Sequence, residues 1–405
     1  MRRSGGAVIL MQLSFNELQY IIGNPELVEM MPGLRVMHPF DDGVIAFLND
    51  LSTILRKNRE YSDVATFGFW CRKGALMQEK TKYDDVKDRF GKGIVFHSTP
   101  SNVPVNFAFS FATGLLAGNA NIVRLPGKPF EQVTIICDAI RDLLETTHKD
   151  LAPYIVFVKF PPVKEITDVF SNLCNVRVIW GGDMTVEELR QSKIPARTTE
   201  ITFADRHSIA VIDADAYLAA ECKDSIIQSF YIDTYYSDQN ACTAPRIIFW
   251  QGKNNTEAKE DFWKRVHELV KSKYVLAAVQ AVGKLNAMYS VASQKSVRLC
   301  DSEDMYITRL DVDQIDKDLM NYKYNSGFYF EKDINALSDI VNICDIRCQT
   351  VTYYGIKEED FRAFLEETSP VGIDRIVPMG KSMDFTLVWD GYDLIRQMSR
   401  KITIV

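Results

Sequence analysis

Cysteine pairs at metal-ligand spacing are missing from this chain. Its eight cysteines (Cys71, Cys137, Cys174, Cys222, Cys242, Cys300, Cys344 and Cys348) contain no CxxC, and the tightest pair, Cys344 and Cys348, has no histidine beside it in the sequence. Neither a zinc site nor a disulfide-stapled small scaffold is suggested, so no metal is expected, and the thiols read as reduced and mostly buried in a cytoplasmic protein. Clustered Lys and Arg are missing too. With a formal net charge of -7 and a pI near 5.5, the chain lacks the electrostatic footprint of a nucleic-acid binder. Low-complexity tracts, internal repeats and flexible linkers are also absent. A content of 46% apolar and 25% charged residues over 405 positions is ordinary globular make-up, long enough for two closely packed domains with a core each.

Membrane signals are scarce. The run Val103 to Val123 has no charge over a bilayer-sized length, but it holds Asn106, Asn119, Asn121, Gly114 and Gly118. Polar groups are costly in hydrocarbon, so the run reads as a buried helix turning into a buried strand and no transmembrane segment is expected. The opening MRRSGGAVILMQL has a basic start, but its apolar run is short, carries Gln12 and has no small-residue cleavage site before Asn16 and Glu17. It reads as an ordinary N-terminus.

What is present is an alternation of short apolar strands and amphipathic helices. The segment Asp41 to Asn58 has helical periodicity. From Gly93 the pattern becomes strand (Gly93 to Phe96), the turn STPSNVP, the apolar helix, and a second strand in NIVRLP. Helix Glu131 to Thr147, strand Tyr154 to Lys159, helix Lys164 to Leu173, strand Val176 to Trp180, then Gly181, Gly182 and a helix near Thr185 continue it. Such alternation predicts an α/β fold with a parallel, doubly wound sheet and ligands at the C-terminal strand ends. Strand Ser208 to Ile212 leads into a second stretch with strands at Arg246 to Trp250, Gly327 to Phe330 and Thr350 to Tyr354.

Two side chains stand out chemically. Cys242, in TYYSDQNACTAPRIIFW, sits in a polar turn just before a strand, where a thiol can face a cleft and act as a nucleophile if its surroundings favour the thiolate. Asn102 is bracketed by Pro100 and Pro104 in TPSNVP. An amide held on a rigid turn is a good oxyanion donor, and loss of such a donor typically costs ~3 kcal/mol of barrier stabilisation; a helix cap is the other reading of the same residue.

Taken together, GIVFHSTPSNVPVNFAFSFATGLLAGNANIVRLP, YYSDQNACTAPR and GIDRIVPMGKSMDFTLVWDGYDLIRQMSRKI resemble, in order and spacing, the LuxC-type acyl-CoA reductase family of fatty-acid reductases. These belong to the aldehyde dehydrogenase superfamily, and the resemblance runs from about Lys92 to the C-terminus. It implies an aldehyde dehydrogenase-like α/β fold: a Rossmann-type cofactor domain over 1–207, to which 376–405 returns, and an α/β catalytic domain over 208–375. Cys242 falls on the superfamily's nucleophile and Asn102 on its oxyanion-stabilising asparagine. Arg124 is the basic residue nearest the lysine that touches the adenosine ribose, displaced by one position. WGGD, with Gly181 and Gly182, resembles the glycine turn that approaches the cofactor pyrophosphate. No ribose-binding glutamate follows in RLPGK, so Arg124 and Lys128 are expected to favour NADPH through its 2′-phosphate.

One departure matters. Where hydrolytic relatives carry the glutamate that activates water, this chain has TFADRHS with Phe203 in that place. The expected reaction is therefore NADPH-dependent reduction of a fatty acyl-CoA, or a protein-bound acyl thioester, to an aldehyde through an acyl-Cys242 thioester that survives until hydride arrives. Rivals are a reductase of short acyl-CoAs or acyl phosphates on the same fold, and a non-reducing acyl-holding subunit of a larger complex. An acyl-protein synthetase, acyltransferase or thioesterase is the implied partner, with a homo-oligomer as the expected state. Glu200, Asp205 and His207 are proton-donor candidates or structural residues; His97 stays unassigned, and Asp374 with Arg375 reads as an ion pair fixing a loop.

Overall fold

The computed structural model describes residues 16–101, 103–300 and 304–405. Its contacts divide the chain into two units, one running to Ala204 and taking in Thr386–Val405, the other Asp205–Phe385.

The first unit is built on six strands: β1 (Gln19–Ile22), β2 (Ile94–Ser98), β3 (Ala120–Arg124), β4 (Ile155–Lys159), β5 (Val176–Trp180) and β6 (Thr199–Phe203). Their order is β1-β4-β3-β2-β5-β6, parallel throughout except for the antiparallel edge strand β1. All five residues of IVFHS and of VRVIW are buried, as befits strands of a parallel sheet covered on both faces. The helices are α1 (Asp42–Leu55), α2 (Asn106–Leu116), α3 (Glu131–Glu145), α4 (Lys164–Leu173) and α5 (Asp183–Arg190). Helix α1 starts where the Asp41 carboxylate accepts from Gly43 N at 2.9 Å, an N-cap, and buries Val44, Phe47, Leu48, Leu51 and Leu55 on one stripe. The uncharged run is the 11-residue α2 followed by β3, with Gly118 at φ +88 making the turn. Among the described residues no helix is long and apolar enough to cross a membrane. Strand β6 was not anticipated: TEITF is only half-buried, an edge strand with a weak pattern. Near the end of the chain Ser399–Lys401 pairs antiparallel with Arg89–Gly91.

The second unit holds β7 (His207–Asp213), β8 (Pro245–Gln251), β9 (Val297–Leu299), β10 (Thr308–Val312), β11 (Phe328–Ile334), β12 (Cys348–Tyr354) and β13 (Arg375–Pro378), in the order β9-β10-β11-β8-β7-β12-β13. Only β9 is antiparallel. Alternate residues serve two cores. Ile209, Val211, Ile247 and Phe249 pack with Leu310, Phe330 and Ile340 on one face. Ala210, Ile212, Ile248 and Trp250 pack on the other with Phe230 of α6 (Lys223–Asp233) and Phe262 of α7 (Asn255–Lys273). Full burial of each such aliphatic or aromatic chain is worth about 2 kcal/mol. Helices α8 (Ala278–Ala292) and α9 (Glu358–Thr368) complete the unit.

The boundaries differ from positions 207 and 375 for local reasons. Arg206 donates to Cys348 O at 2.7 Å and pairs with Asp374, while Lys323 reaches Asp205 at 2.9 Å. Residues 376–385 stay with the second unit because β13 runs to Pro378 and the Asp233 carboxylate accepts from Gly380 N at 2.6 Å and Ser382 N at 3.0 Å.

Candidate active site

Cys242 lies between α6 and β8, half-buried and outside any disulfide. The approach to it is strained: Asp238 and Gln239 both sit at φ 53, a left-handed conformation that costs non-glycine residues ~1–2 kcal/mol each. Side chains hold it there. Tyr274 donates its hydroxyl to Asp238, and Gln280 Nε2 donates to the same carboxylate at 2.9 Å. The buried Gln239 amide accepts from Gly327 N at 2.7 Å and Phe328 N at 3.1 Å, and donates to Pro245 O at 3.2 Å. Arg246, at the start of β8, donates to Gln239 O, to Tyr324 O at 2.7 Å and to Asn325 Oδ1 at 2.8 Å. The Cys242 carbonyl accepts from Ser208 Oγ at 2.7 Å, and its neighbour Thr243 donates to Met383 Sδ at 3.3 Å. The GIDRIVPMGKSMDF segment is thereby fastened next to the cysteine. Its own ion pair is not the expected one: Asp374 pairs with Arg206, while Arg375 donates to Ser382 O and Asp384 O, both at 3.0 Å.

In the first unit the winding of the sheet reverses between β2 and β5, since β3 and β4 lie to one side and β6 to the other. Crevices at such reversals, beyond the C-terminal strand ends, are where open α/β sheets take ligands. The TPSNVP turn follows β2 and the Gly181–Gly182 turn follows β5, so both sequence motifs fall at this one place. Asn102 itself is outside the described residues. Gly182 is exposed, precedes α5 with no side-chain cap on the helix start, and a Cβ there would meet nothing within 4 Å. At Gly181 a Cβ would stand 2.8 Å from Thr185 Cγ2, so the turn requires glycine there. Uncapped helix N-termini offer N–H groups to anions.

Arg124 ends β3. Its carbonyl accepts from Thr99 Oγ1 at 2.6 Å, and its guanidinium lies over the Phe160 ring at 4.5 Å and donates to Phe160 O at 3.2 Å. Burial lowers its pKa, and the charge of Glu188 on α5 works the other way. Lys128 is exposed on the loop that follows.

Below the reversal, His97 is fully buried. Its Nε2 meets Asn121 Oδ1 at 3.0 Å and its Nδ1 meets Ser110 Oγ at 2.8 Å, and Trp180 Nε1 donates to the same hydroxyl at 3.0 Å. Asn121 Oδ1 can only accept, which fixes the proton on Nε2. Burial pushes this histidine down to about 4, with the Asn121 contact only partly opposing. It is a neutral packing group. Gly114 is required beside it, because a Cβ would come within 2.2 Å of Asn121 Oδ1.

Of the other proton-donor candidates, Glu200 bridges Arg177 and Arg190; burial raises its pKa, and the two arginines outweigh that and hold it low. Asp205 is held by Lys323. His207 is buried, with Nε2 at 3.2 Å from Ile343 O, and stands beside the cysteine pair that has no histidine near it in sequence. Cys344 and burial raise the Cys348 thiol well above its ordinary range, while His207 pulls it down. Among the described residues no group of three or more His, Cys, Asp or Glu is arranged to hold a metal. Sequence reasoning passed over Arg246, Gln239, Ser208 and Asp233. The available signal was Arg246, a charge opening the otherwise continuous apolar run PRIIFW.

A family model described as acyl-CoA reductase (LuxC) matches residues 75–401. No curated protein matches the chain in sequence. Solved structures do match in fold. An oxidoreductase from Marinobacter aquaeolei has a TM-score of 0.65 at 10% identity, over 93% of this chain and 89% of that one. A methylmalonate-semialdehyde dehydrogenase from Oceanimonas doudoroffii gives 0.64 at 10%, over 94% and 90%. An indole-3-acetaldehyde dehydrogenase solved with NAD+ gives 0.63 at 11%, over 92% and 86%. The fold is that of the aldehyde dehydrogenases.

Proposed function

The chain belongs to the LuxC acyl-CoA reductase family, an aldehyde-forming acyl-CoA reductase, and from that premise we propose that it works through a covalent acyl thioester on Cys242 with NADPH as reductant. The observation that carries this reading is the half-buried Cys242, outside any disulfide, on a loop fixed by Ser208, Gln239 and Arg246. The Cys242 thiolate attacks the acyl thioester carbonyl, the bond from that carbon to the CoA sulfur breaks, and the departing CoA thiolate takes a proton from solvent. The oxyanion is met by the backbone N–H of Cys242 and by the Asn102 amide that the resemblance assigns to it; fixed donors of this kind are what lower such barriers. A reduced nicotinamide, when bound, supplies the hydride that takes the acyl carbon to the aldehyde level. The carbon–sulfur bond to Cys242 then breaks, and the thiolate is restored as aldehyde leaves.

The residues at the sheet reversal suit that cofactor. Gly181, Gly182 and the uncapped start of α5 would hold the pyrophosphate, and Arg124 and Lys128 would meet the 2′-phosphate. The substrate in this reading is a fatty acyl-CoA or an acyl group handed on by a partner enzyme, in a cytoplasmic setting that suits eight cysteines outside any disulfide. Intact-mass measurement with peptide mapping after incubation with acyl-CoA alone tests it. One acyl group on Cys242 is expected, and Cys242→Ala should abolish aldehyde formation. Labelling of another cysteine, or reduction by the Cys242→Ala protein, would remove the central claim. A series of acyl-CoAs from short to long decides between a fatty and a short-chain substrate.

A further inference from the structure

Arg246 is only 6% exposed, and its hydrogen-bond acceptors, Gln239 O, Tyr324 O and Asn325 Oδ1, are all neutral. No carboxylate among the described residues forms an ion pair with it. A buried charge is costly unless it is both hydrogen-bonded and answered by an opposite charge, and Arg246 has the hydrogen bonds without such an ion pair. Among the ionisable groups whose charge reaches it are Tyr329, Cys242, Asp205 and Asp238. Tyr329 is a fully buried phenol held neutral by burial. Asp205 is already engaged by Lys323, and Asp238 by Tyr274 and Gln280. Cys242 lies four positions earlier in the chain, on the loop that Arg246 clamps through Gln239 O, and its charge is among those that reach the guanidinium.

We propose that Arg246 is the positioning residue of the nucleophile: its buried guanidinium clamps the Cys242 loop through Gln239 O and holds the thiol in its anionic form. This rests on the reading of Cys242 as nucleophile. A nearby cation favours a thiolate, and cysteines of high reactivity sit in electropositive, partly exposed surroundings; Cys242 is half-buried and lies within reach of the Arg246 charge. The guanidinium fork adds a mechanical role. It ties the left-handed Gln239 to Tyr324 and Asn325, and Asn325 Nδ2 donates in turn to Asn240 Oδ1 at 2.6 Å, so two of the three residues before the cysteine are held by one hub.

Lys284 provides the contrast. It too is buried and bonded to neutral acceptors, with Nζ donating to Ser326 O at 2.7 Å and to Met305 O. Burial takes it down to about 8, but the charges that reach it are Asp238 and Asp304, not Cys242.

The test is the pH dependence of Cys242 alkylation by iodoacetamide, read site by site by peptide mass spectrometry on the full chain. Arg246→Met and Arg246→Gln, the second keeping donors for Gln239 O, should each raise the apparent Cys242 pKa by about one unit or more. The pH profile of acyl transfer should move by the same amount. Arg246→Lys should shift the profile less than either neutral variant while losing kcat through the weaker clamp. Lys284→Met should lower stability and leave the Cys242 titration in place. A folded Arg246→Gln protein with an unshifted Cys242 profile would overturn the proposal, as would an equal shift in Lys284→Met. Failure of the wild type to acquire an acyl group on Cys242 would strike the catalytic reading alone, because the alkylation profile reads Arg246 independently of it.

Discussion

The ring of Phe203 lies flat on the indole of Trp180, with centroids 3.6 Å apart and planes at 17°, and meets the Tyr392 ring edge-on at 5.7 Å. The two stacked residues are register partners at the ends of β5 and β6, so pairing of the strands fixes the stack. The position that resembles the hydrolytic glutamate's is thus a packed aromatic ring, 5% exposed.

A carboxylate there would gain a base and lose a packing anchor. Phe203→Glu should lower stability by about 3 kcal/mol or more, read by urea denaturation, and raise fatty-acid release from the acyl-enzyme. Phe203→Leu should keep release slow. General-base help is typically worth ~100-fold to 10,000-fold, so the wild-type acyl-enzyme should release little acid over many turnover times yet give aldehyde promptly with NADPH. Rapid acid release by the wild type would contradict the reductase reading and require another base.

His97 makes stability depend on pH in a defined direction. Its pKa is about 4 in the fold against ~6.5 unfolded, so the unfolded chain binds the extra proton between those values. Stability is complete above pH ~6.5 and falls as pH drops toward 4, by about 3 kcal/mol at the lower end. His97→Gln should flatten that part of a plot of urea midpoint against pH. An unchanged slope would mean that another group governs it.

Arg124 and Glu188 should pull cofactor preference in opposite directions. Arg124→Leu and Lys128→Ala are expected to raise KM for NADPH by roughly tenfold, about 1.4 kcal/mol each, with little change for NADH. Glu188→Gln, which removes the carboxylate charge that reaches Arg124, should lower KM for NADPH. Equal effects on the two cofactors would show that these residues do not face the 2′-phosphate.

Glu331 is a buried carboxylate that gathers Trp250 Nε1 at 2.7 Å, Trp263 Nε1 at 2.6 Å and Arg309 Nη1 at 3.0 Å. Glu331→Gln keeps the shape but takes the anion from Arg309, and should cost about 3 kcal/mol with a change in tryptophan emission. A loss under 1 kcal/mol would show that the indoles, not the charge, hold this part of β11.

Much of this was legible in the chain because it is local. Apolar runs such as IVFVK and VRVIW announce two-sided burial over a handful of residues, and the strands Val176 to Trp180 and Arg246 to Trp250 appear in the fold at or within one residue of where the pattern put them. The polar residues that spoke against a spanning segment have specific places: Asn119 Oδ1 accepts from Lys92 N at 2.7 Å and Gly93 N at 3.0 Å, and Asn121 meets His97. Strand β6 escaped because its half-buried edge position gives no continuous apolar signal.

The sequence by itself determined the alternation of strand and helix, the family likeness and the position of Cys242 before a strand, since each is written in neighbouring residues. Only the tertiary structure decided who answers whom. Asp374 pairs with Arg206 rather than its neighbour Arg375, His207 stands beside Cys348, and Arg246 is buried with neutral acceptors near the cysteine. Those choices depend on strand order and on which charges burial removes from water, and electrostatic interactions gain their strength only once the folded chain has excluded the solvent that would screen them.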